Sequence, residues 1–412
     1  MARLGAFGDP RFRRLFAGQA LSSFGDSALY LTLGIWAKSL TGSNTAAGGV
    51  FLALAVPSLF APLAGHLADR VRRKPLLIAT NAITAALVLA LLTVGSRSQL
   101  WVIYLVAFGY GVSFSVQSGA EAGLRKDMLR GGQLASANAA LSSLDQGIRI
   151  VSPLVGAGIF AAAGGRWVAI LDVVTFVAAI VALASIRVDE SESEPAGGFR
   201  HEVSAGFRHV RAVPLLAQLA LVGAIAFSVI GVEETIVFAV IGQGLHRAPS
   251  FFGVLTSVQG AASIAAGLVA AYVLRRTGPA RTVGVALACF AVSALAMRTS
   301  SLPLVLGAAA CDGLGVVWLS VGVGTAAQLH TPPRLQGRVG AAINLFLVGP
   351  QSVSIAAGAI LINVVSYRLM LTVMAIVIGC CAIVLLVRPA PEPRAEPVPV
   401  AETEAAEAEK VS

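Results

Sequence analysis

Residues 65–74, GHLADRVRRK, form a short charged segment between two apolar runs, residues 46–66 and 75–95. Each run is about 20 residues long, which is the length that an α-helix needs to cross roughly 30 Å of hydrocarbon. Four of the ten residues in the segment are Arg or Lys. Because Lys and Arg are enriched in the cytoplasmic loops of membrane proteins, this pattern predicts a cytoplasmic loop between two transmembrane helices.

The same alternation of apolar runs and short polar gaps continues along the whole chain. Of the 412 residues, 56% are hydrophobic and only 12% are charged, about half the charged fraction of soluble domains. Twelve apolar runs lie at residues 15–37, 46–66, 75–95, 100–121, 135–163, 167–186, 214–241, 252–274, 282–299, 302–329, 338–364 and 368–387. They predict an all-α polytopic membrane protein with twelve transmembrane helices in a lipid bilayer.

A polar stretch at residues 187–213 divides the runs into two sets of six. We therefore predict an N-terminal six-helix bundle over residues 1–186 and a C-terminal bundle over residues 214–388. Within the linker, the apolar residues from 199 to 210 are four, four and three positions apart. This spacing predicts an amphipathic helix on the cytoplasmic membrane surface. Residues 389–412 are rich in Pro, Ala and Glu and predict a disordered acidic tail.

Similar short sequences in the second and eighth runs indicate an internal repeat. Gly49 precedes the Arg72-Arg73 pair by 23 residues, and Gly253 precedes the pair at 275–276 by 22 residues. Two halves in the same orientation form a parallel repeat, which is typical of alternating-access carriers. We therefore expect Gly49 and Gly253 in equivalent places.

The distribution of basic residues sets the predicted orientation. They concentrate in alternate gaps, such as residues 70–74, 125–130 and 275–281, and in both terminal segments. The positive-inside rule then places both termini in the cytoplasm. A net charge of +9 could also indicate nucleic acid as a partner. No basic and aromatic surface module is present, so we interpret the basic residues as topology signals and exclude nucleic acid.

The charged segment resembles the loop signature of the major facilitator superfamily, Gly-x-Leu-Ala-Asp-Arg-x-Gly-Arg-Lys. The matching residues include Gly65, Asp69, Arg70, Arg73 and Lys74, while Arg replaces the second Gly at position 72. The segment also lies between the second and third spans, where that superfamily carries it. The resemblance implies a cytoplasmic gating motif, in which the Asp and Arg contact the start of the eleventh helix near residues 337–338.

Two further stretches resemble one branch of that superfamily, the proton-driven macrolide-efflux and siderophore-export carriers. They are residues 12–26, FRRLFAGQALSSFGD, and residues 137–156, which end SPLVG. The antiporter signature of the fifth helix normally ends Gly-Pro-x-x-Gly-Gly, and this chain matches it only in part. The resemblance implies a drug:proton antiporter in a bacterial cytoplasmic membrane, with a small molecule and protons as its ligands.

Seven charged side chains fall inside the predicted spans, where each ionised group costs about 2.5–3.5 kcal/mol on insertion scales. They are Asp26, Asp145, Arg149, Asp172, Glu233, Glu234 and Asp312. Seven unpaired charges would cost on the order of 20 kcal/mol, more than the net stability of a typical fold. These groups must therefore be paired, protonated or exposed to a water-filled cavity.

Three of these acids are the predicted carriers of proton coupling. Asp26 lies at the midpoint of the first run and is predicted to face the central cavity. The alternative for Asp26 is a structural hydrogen bond with Ser22 or Ser23. Glu233 and Glu234 are adjacent on the seventh helix and point about 100° apart, so at most one faces the cavity squarely. Close, buried carboxyl groups hold protons more tightly, which proton coupling requires.

The other intramembrane charges have alternative interpretations. Asp145 and Arg149 are four residues apart with the acid first, which favours an intrahelical ion pair. A coupling or substrate-binding role for this pair stays open beside the structural one. Asp312 is a further candidate for the cavity. Asp172 lies near the outer end of its helix and is interpreted as a structural hydrogen-bonding group.

Other classes of protein lack their sequence signals. The five His residues fall in gaps or at span ends, and neither a zinc-protease motif nor a phosphate-binding loop is present. We therefore predict no enzymatic activity, no cofactor and no metal site, and expect a monomer. The predicted cavity helices are dominated by Ala, Gly, Val, Leu and Phe, which favours export of lipophilic compounds. The alternative is an importer or facilitator of a small polar metabolite.

Overall fold

The computed structural model describes residues 5–60, 71–129, 132–188, 190, 199–332 and 335–388. Within these residues all regular structure is helical. The helices before residue 213 are α1 (Pro10–Thr41), α2 (Asn44–Ala55), α3 (Arg73–Leu89), α4 (Leu100–Met128), α5 (Gly132–Ala163), α6 (Gly165–Ala184) and α7 (Phe199–Ala212). Those after it are α8 (Pro214–Ile230), α9 (Glu233–Ala239), α10 (Phe252–Ala296), α11 (Leu302–Leu329), α12 (Gln336–Leu361) and α13 (Tyr367–Val387).

Eight helical segments of the described chain are long and apolar enough to cross a membrane. They are Arg73–Thr93, Arg97–Met128, Gly165–Ala184, Pro214–Gly244, Pro249–Ala296, Leu302–Leu329, Arg338–Leu361 and Tyr367–Val387. Two shorter apolar helices lie at Asn44–Phe60 and Ile150–Ala163. These segments coincide closely with the predicted apolar runs.

One of the eight segments contains two predicted runs. Within α10, Gly278 adopts φ 75° and ψ 168°, and Pro279 follows it. A positive φ is accessible to glycine at little cost, and proline cannot donate the next helical hydrogen bond. The chain therefore turns at Gly278, between the predicted runs 252–274 and 282–299.

The two ends of α1 show how the sequence starts and stops a long helix. The Asp9 side chain accepts a hydrogen bond from the Arg11 backbone N–H at 2.8 Å, and Pro10 occupies the first turn. A hydrogen bond from the Arg11 side chain also lowers the pKa of Asp9. At the other end, Gly42 has φ 70° and donates its N–H to the Lys38 carbonyl. Both ends thus satisfy backbone groups that the helix itself leaves unpaired.

Buried apolar side chains form one core region for each half of the chain. Two clusters consist entirely of residues before 190, centred on α1, α3, α4 and α6. A third cluster draws mainly on residues after 210, with a few members from α1, α2 and α5. Each half therefore packs around its own interior.

Two pairs of helices form the main contacts between the two halves of the chain. In the first half, α5 packs against the first part of α10, where Ser257 Oγ donates to the Ile150 carbonyl at 2.7 Å. In return, α2 packs against α12. These two contacts join the first half of the chain to the second. The two repeat glycines have different neighbours, since Gly49 lies beside Tyr104 and Gly253 beside Pro153.

The linker helix α7 packs against protein. Phe207 contacts the Phe346 ring of α12 at 5.1 Å, and Val210 is fully buried. His209 Nε2 lies 2.9 Å from the carbonyl oxygen of His330, at the end of α11. A helix thus lies at the predicted position, and Phe207 on it packs against α12. Its placement on the membrane surface stays a prediction.

Candidate functional site

A buried cluster in the first half joins two carboxyl groups through one phenol. Tyr110 of α4 is hydrogen-bonded to Asp26 Oδ1 of α1 at 3.0 Å, and also to Asp172 Oδ2 of α6. Ser22 donates to the other oxygen of Asp26 at 3.5 Å. Asp172 is completely buried, and Tyr110 is nearly so. Three helices thus bring two acids and a hydroxyl together in the interior of one half.

Counting protons shows what this cluster can do. A phenol has one O–H, so Tyr110 can donate to only one of its two carboxyl partners at a time. The other carboxyl completes the hydrogen-bonded chain only when it carries a proton and donates it to the phenol oxygen. Two ionised carboxylates on one phenol would repel each other in a weakly solvated interior. The arrangement is therefore suited to hold one exchangeable proton.

Close packing of α1 and α6 makes this cluster possible. A Cβ atom on Gly25 would lie 2.5 Å from Asp172 Oδ1, and still closer to Thr175. Only glycine lets the two helices approach this far. The interpretation of Asp172 as a separate structural group was therefore incomplete, because its hydrogen bond to Tyr110 connects it to Asp26.

A second carboxyl cluster occupies the other half. Glu233 of α9 and Asp312 of α11 lie close enough for their charges to act on each other, and Glu234 adjoins Glu233 along the chain. Asp312 of α11 is buried and accepts a hydrogen bond from Ser293 Oγ of α10 at 2.7 Å. A pair of interacting carboxyls can also share a proton. The sequence predicted these acids but gave no sign of Ser293.

The two glutamates follow a short turn between α8 and α9. Helix α8 ends at Ile230 and α9 begins at Glu233, while Gly231 and Val232 keep right-handed helical φ and ψ angles. Pro214–Gly244 therefore runs on as one apolar helical segment. The Val232 N–H donates to Ser354 Oγ of α12 at 3.1 Å, which connects this turn to the neighbouring helix.

The predicted trio of acids is divided between the two clusters. Asp26 belongs with Asp172 in the first half, and the glutamates belong with Asp312 in the second. The acids of the first cluster lie on α1 and α6, and those of the second lie on α9 and α11. Each half of the chain therefore carries its own pair of acids.

A further acid, Glu121, was missed by the sequence analysis. It accepts a hydrogen bond from Gln19 Nε2 of α1 at 2.5 Å, and Arg125 lies 3.6 Å from its carboxylate. Asp145 of α5 lies close enough to interact with Glu121 electrostatically. The missed signal was the spacing of Glu121 and Arg125, which are four residues apart on a helix that continues to Met128.

Asp145 lies exposed on α5. The side chain of Arg149 is outside the described residues, so the ion pair between them stays a prediction.

The charged loop is described only at its end. Gly65, Asp69 and Arg70 lie outside the described residues, so the gating contact stays a prediction. Arg73 pairs with Asp127 of α4 at 2.5 Å, and Lys74 Nζ donates to the Ile186 carbonyl beyond α6 at 2.5 Å. These bonds connect the start of α3 to the ends of two neighbouring helices.

Glu190 supports the same end of α3. Its carboxylate accepts hydrogen bonds from the backbone N–H groups of Arg73 at 2.5 Å and Lys74 at 3.2 Å. A carboxylate at a helix N-terminus stabilises the unpaired N–H groups there. Glu190 is a second residue whose role the sequence did not indicate.

Aromatic rings close the space between the halves near the end of α2. Phe51 stacks on Phe238 of α9 at 6.2 Å and meets Phe252 of α10 edge-on at 6.1 Å. Tyr30 of α1 also contacts Phe51 at 5.5 Å. This aromatic closure, formed by Tyr30, Phe51, Phe238 and Phe252, joins both halves of the chain.

In the described part of the chain, no group of three or more His, Cys, Asp or Glu residues is arranged to hold a metal ion.

Three solved transporters have similar structures over nearly the whole chain. A bacterial homologue of the iron transporter ferroportin, in an inward-facing state, gives a TM-score of 0.71 at 16% identity, covering 92% of this chain and 99% of its own. The nucleoside transporter NupG gives 0.75 at 11% identity, covering 93% and 100%. An auto-inhibited POT family peptide transporter gives 0.71 at 14% identity, covering 94% and 99%. This likeness shows the fold of a multi-pass membrane transporter of the major facilitator type.

A match to a family model identifies the family of this chain among the major facilitator transporters. The model of the transmembrane secretion effector family matches residues 2–409. The chain therefore belongs to the transmembrane secretion effector family and is a major facilitator transporter. A search of curated protein sequences finds no match.

Proposed function

We propose that this transporter exports lipophilic, often cationic small molecules by proton antiport with alternating access. The observation that carries the proposal is the pair of carboxyl clusters, one in each half of the chain. Asp26 with Asp172, and Glu233 with Asp312, can each hold an exchangeable proton. The family description, a secretion effector, supports export.

Coupling would follow from competition at these clusters. A carboxyl group in a weakly solvated site favours its neutral form, whereas a bound cation favours the ionised form. A proton and a cationic substrate would therefore displace each other, and each would weaken the binding of the other by the same factor. A proton that enters from outside then drives the substrate out, provided that the transporter opens its site to one side of the membrane at a time.

The proposal also includes the number of membrane spans and the side on which the termini lie. Twelve spans result when α10 is divided at Gly278 and when α1, α2 with its continuation, and α5 are added to the other apolar segments. The basic residues at alternate span ends support a cytoplasmic position for both termini. We further propose a monomer in a bacterial cytoplasmic membrane. Its work is transport without covalent catalysis, with no cofactor or metal.

Import or facilitated transport of a small polar metabolite is the second candidate. The similar solved structures include a nucleoside transporter and a peptide transporter. Their resemblance lies in the fold, which serves transport in either direction. The direction of proton-driven flux separates the two candidates.

The decisive experiment measures transport in inside-out vesicles under an imposed pH gradient. The compounds screened are macrolides, siderophores and cationic dyes such as ethidium. Accumulation that requires an acidic lumen supports proton-driven export. Accumulation of nucleosides or peptides in right-side-out vesicles alone supports import and contradicts the proposal.

Matched variants connect the transport activity to the clusters. Asp26→Asn is expected to abolish gradient-driven accumulation, while Asp26→Glu keeps a titratable group and retains part of the activity. The double change Glu233→Gln/Glu234→Gln is expected to shift or remove the pH dependence. Wild-type pH dependence in the asparagine and glutamine variants would refute coupling through these acids.

A further inference from the structure

A small cavity lies in the N-terminal half, between α1, α3, α4 and α6. Its polar lining consists of Gln19, Ser22, Asn81, Gln117 and Glu121, and its other walls are small or aliphatic. All lining residues lie between positions 15 and 183, so the cavity belongs to one half and not to the space between the halves. About 20 Å³ is open to the centres of water molecules, which is room for a single water.

Two residues that line this cavity each have a side-chain oxygen that needs a hydrogen-bond donor. Asn81 is only 3% exposed, and its amide N–H₂ donates to the Leu77 carbonyl at 2.7 Å. Gln19 uses its amide N–H₂ on Glu121. Within the described chain, Asn81 Oδ1 and Gln19 Oε1 are buried without a partner. A buried acceptor without a donor costs about 1–3 kcal/mol, so a bound water that donates to these oxygens would be stabilised.

The cavity leads directly to the first carboxyl cluster. Ser22 lines the cavity and also donates to Asp26 Oδ2 at 3.5 Å. A hydroxyl can accept one proton while it gives up its own. Beyond Asp26, Tyr110 continues the hydrogen-bonded chain to Asp172. Oxygen atoms that can exchange protons therefore extend from Glu121, through the water site and Ser22, to the buried acids.

Glu121 stands at the far end of this path. It lies two turns before the end of α4 at Met128, the end that carries Arg125 and Lys126. The charged groups that act on it are Arg125 of its own helix, Asp145 of α5 and Asp26 of α1. The residues that α3 and α6 contribute to the cavity carry no titratable group. Glu121 is thus placed to receive a proton from the interior.

We propose that protons leave Asp26 for the cytoplasm through this cavity, with a bound water and Glu121 as carriers, apart from the path of the substrate. Asp26 gives its proton to Ser22 Oγ while Ser22 passes its own to the water, and the water gives one to Glu121. Each intermediate oxygen ends with the protons it began with. The inference rests on proton coupling at Asp26 and adds the route that serves it.

The test uses the full-length protein in proteoliposomes, with ethidium as the first probe. A lumenal pH dye records proton flux coupled to ethidium, and ethidium counterflow records exchange without net proton movement. Glu121→Gln is expected to slow coupled proton flux by at least about tenfold, as expected for loss of a proton-transfer group, with counterflow within twofold of wild type. Glu121→Asp should restore part of the flux.

A second variant tests the water site itself. Asn81→Val removes the acceptor and fills the cavity with methyl groups, so it is expected to reproduce the loss of proton flux. Ser115→Ala is the matched control, since Ser115 is buried on α4 outside the cavity lining, and its hydroxyl donates to the Gly111 carbonyl of its own helix at 2.9 Å. Ser115→Ala should keep wild-type proton flux.

The outcomes separate this route from the function on which it rests. Wild-type proton flux in both Glu121→Gln and Asn81→Val would overturn the route while leaving antiport intact. Equal loss of flux and counterflow would assign Glu121 to substrate binding and also overturn it. Transport driven equally by a sodium gradient would overturn the proton route. Gradient-driven transport at the wild-type level in Asp26→Asn would instead refute the proposed function.

Discussion

Removing one oxygen atom from Tyr110 gives a sharp test of the first carboxyl cluster. Tyr110→Phe keeps the ring that packs on Phe176 and deletes the hydroxyl between Asp26 and Asp172. A hydrogen bond to a charged group contributes about 1.5–3 kcal/mol. The phenol stabilises whichever carboxylate is ionised, so its loss favours the protonated cluster by that amount. At 1.36 kcal/mol per pH unit, the midpoint of transport is expected to rise by about one to two units.

The measurement is the pH dependence of gradient-driven transport in inside-out vesicles. Initial rates are recorded from pH 5 to 9 at a fixed pH difference, and protein amount and melting temperature are measured in parallel. The expected result is an alkaline shift of the profile with a folded protein. The sign follows from the donor: a lost donor destabilises the ionised form, so the proton is released only at higher pH.

Tyr104→Phe is the matched control. Tyr104 lies on the same helix, and its hydroxyl donates to the Ala46 carbonyl at 3.2 Å, away from the carboxyl groups. It should leave the pH profile unchanged. An unchanged or acid-shifted profile in Tyr110→Phe would refute the reasoning, because the phenol would then not stabilise an ionised carboxyl during transport.

Three further substitutions test the packing of α1 and α6, the cap of α1 and the aromatic closure. Gly25→Ala is expected to push α1 away from Asp172, which lowers the stability by about 1–3 kcal/mol and abolishes transport. Gly158→Ala is the control, since it has open space around it, and it should keep both stability and transport. A Gly25→Ala protein with wild-type melting and flux would contradict this. Asp9→Ala removes a helix cap and should cost about 1 kcal/mol at neutral pH. Because the pKa of Asp9 is lowered, the difference in melting temperature between wild type and Asp9→Ala should vanish only well below pH 4. A difference that persists at such a low pH would contradict the role of the Asp9 carboxylate as a helix cap. Phe51→Ala should loosen the aromatic closure and raise ethidium leak without a gradient, and an unchanged leak would argue against a closing role.

Most of the fold could be predicted because membrane spans depend on local composition. A span needs enough consecutive apolar residues, and this requirement is read directly from the chain. The division of α10 was also visible, because Gly278 and Pro279 stand in the gap between two runs. The predicted apolar run of α4 ended at residue 121, whereas the helix continues to Met128. Charged residues need not end a helix, and Glu121 and Arg125 pair along this last part.

The candidate site was predicted only as a set of acids, without their partners. Asp26 stood out because an acid in mid-membrane needs an explanation. Its connection to Tyr110 and Asp172 depends on how three helices pack, and no spacing along the chain reports that. Tyr110 in particular looks like an ordinary aromatic residue of an apolar span until the structure shows two carboxyls on its hydroxyl.

Helix α1 is the element through which proton and substrate would act on each other. It carries Asp26 at its centre, contributes Gln19 and Ser22 to the cavity in its own half, and places Tyr30 against the aromatic closure between the halves. A helix of 32 residues that is packed along its length moves largely as one body. A change of charge at Asp26 that shifts α1 against α6 would therefore also shift Tyr30 against Phe51. Proton release inside one half would in this way favour opening or closing between the halves, without substrate and proton sharing a path.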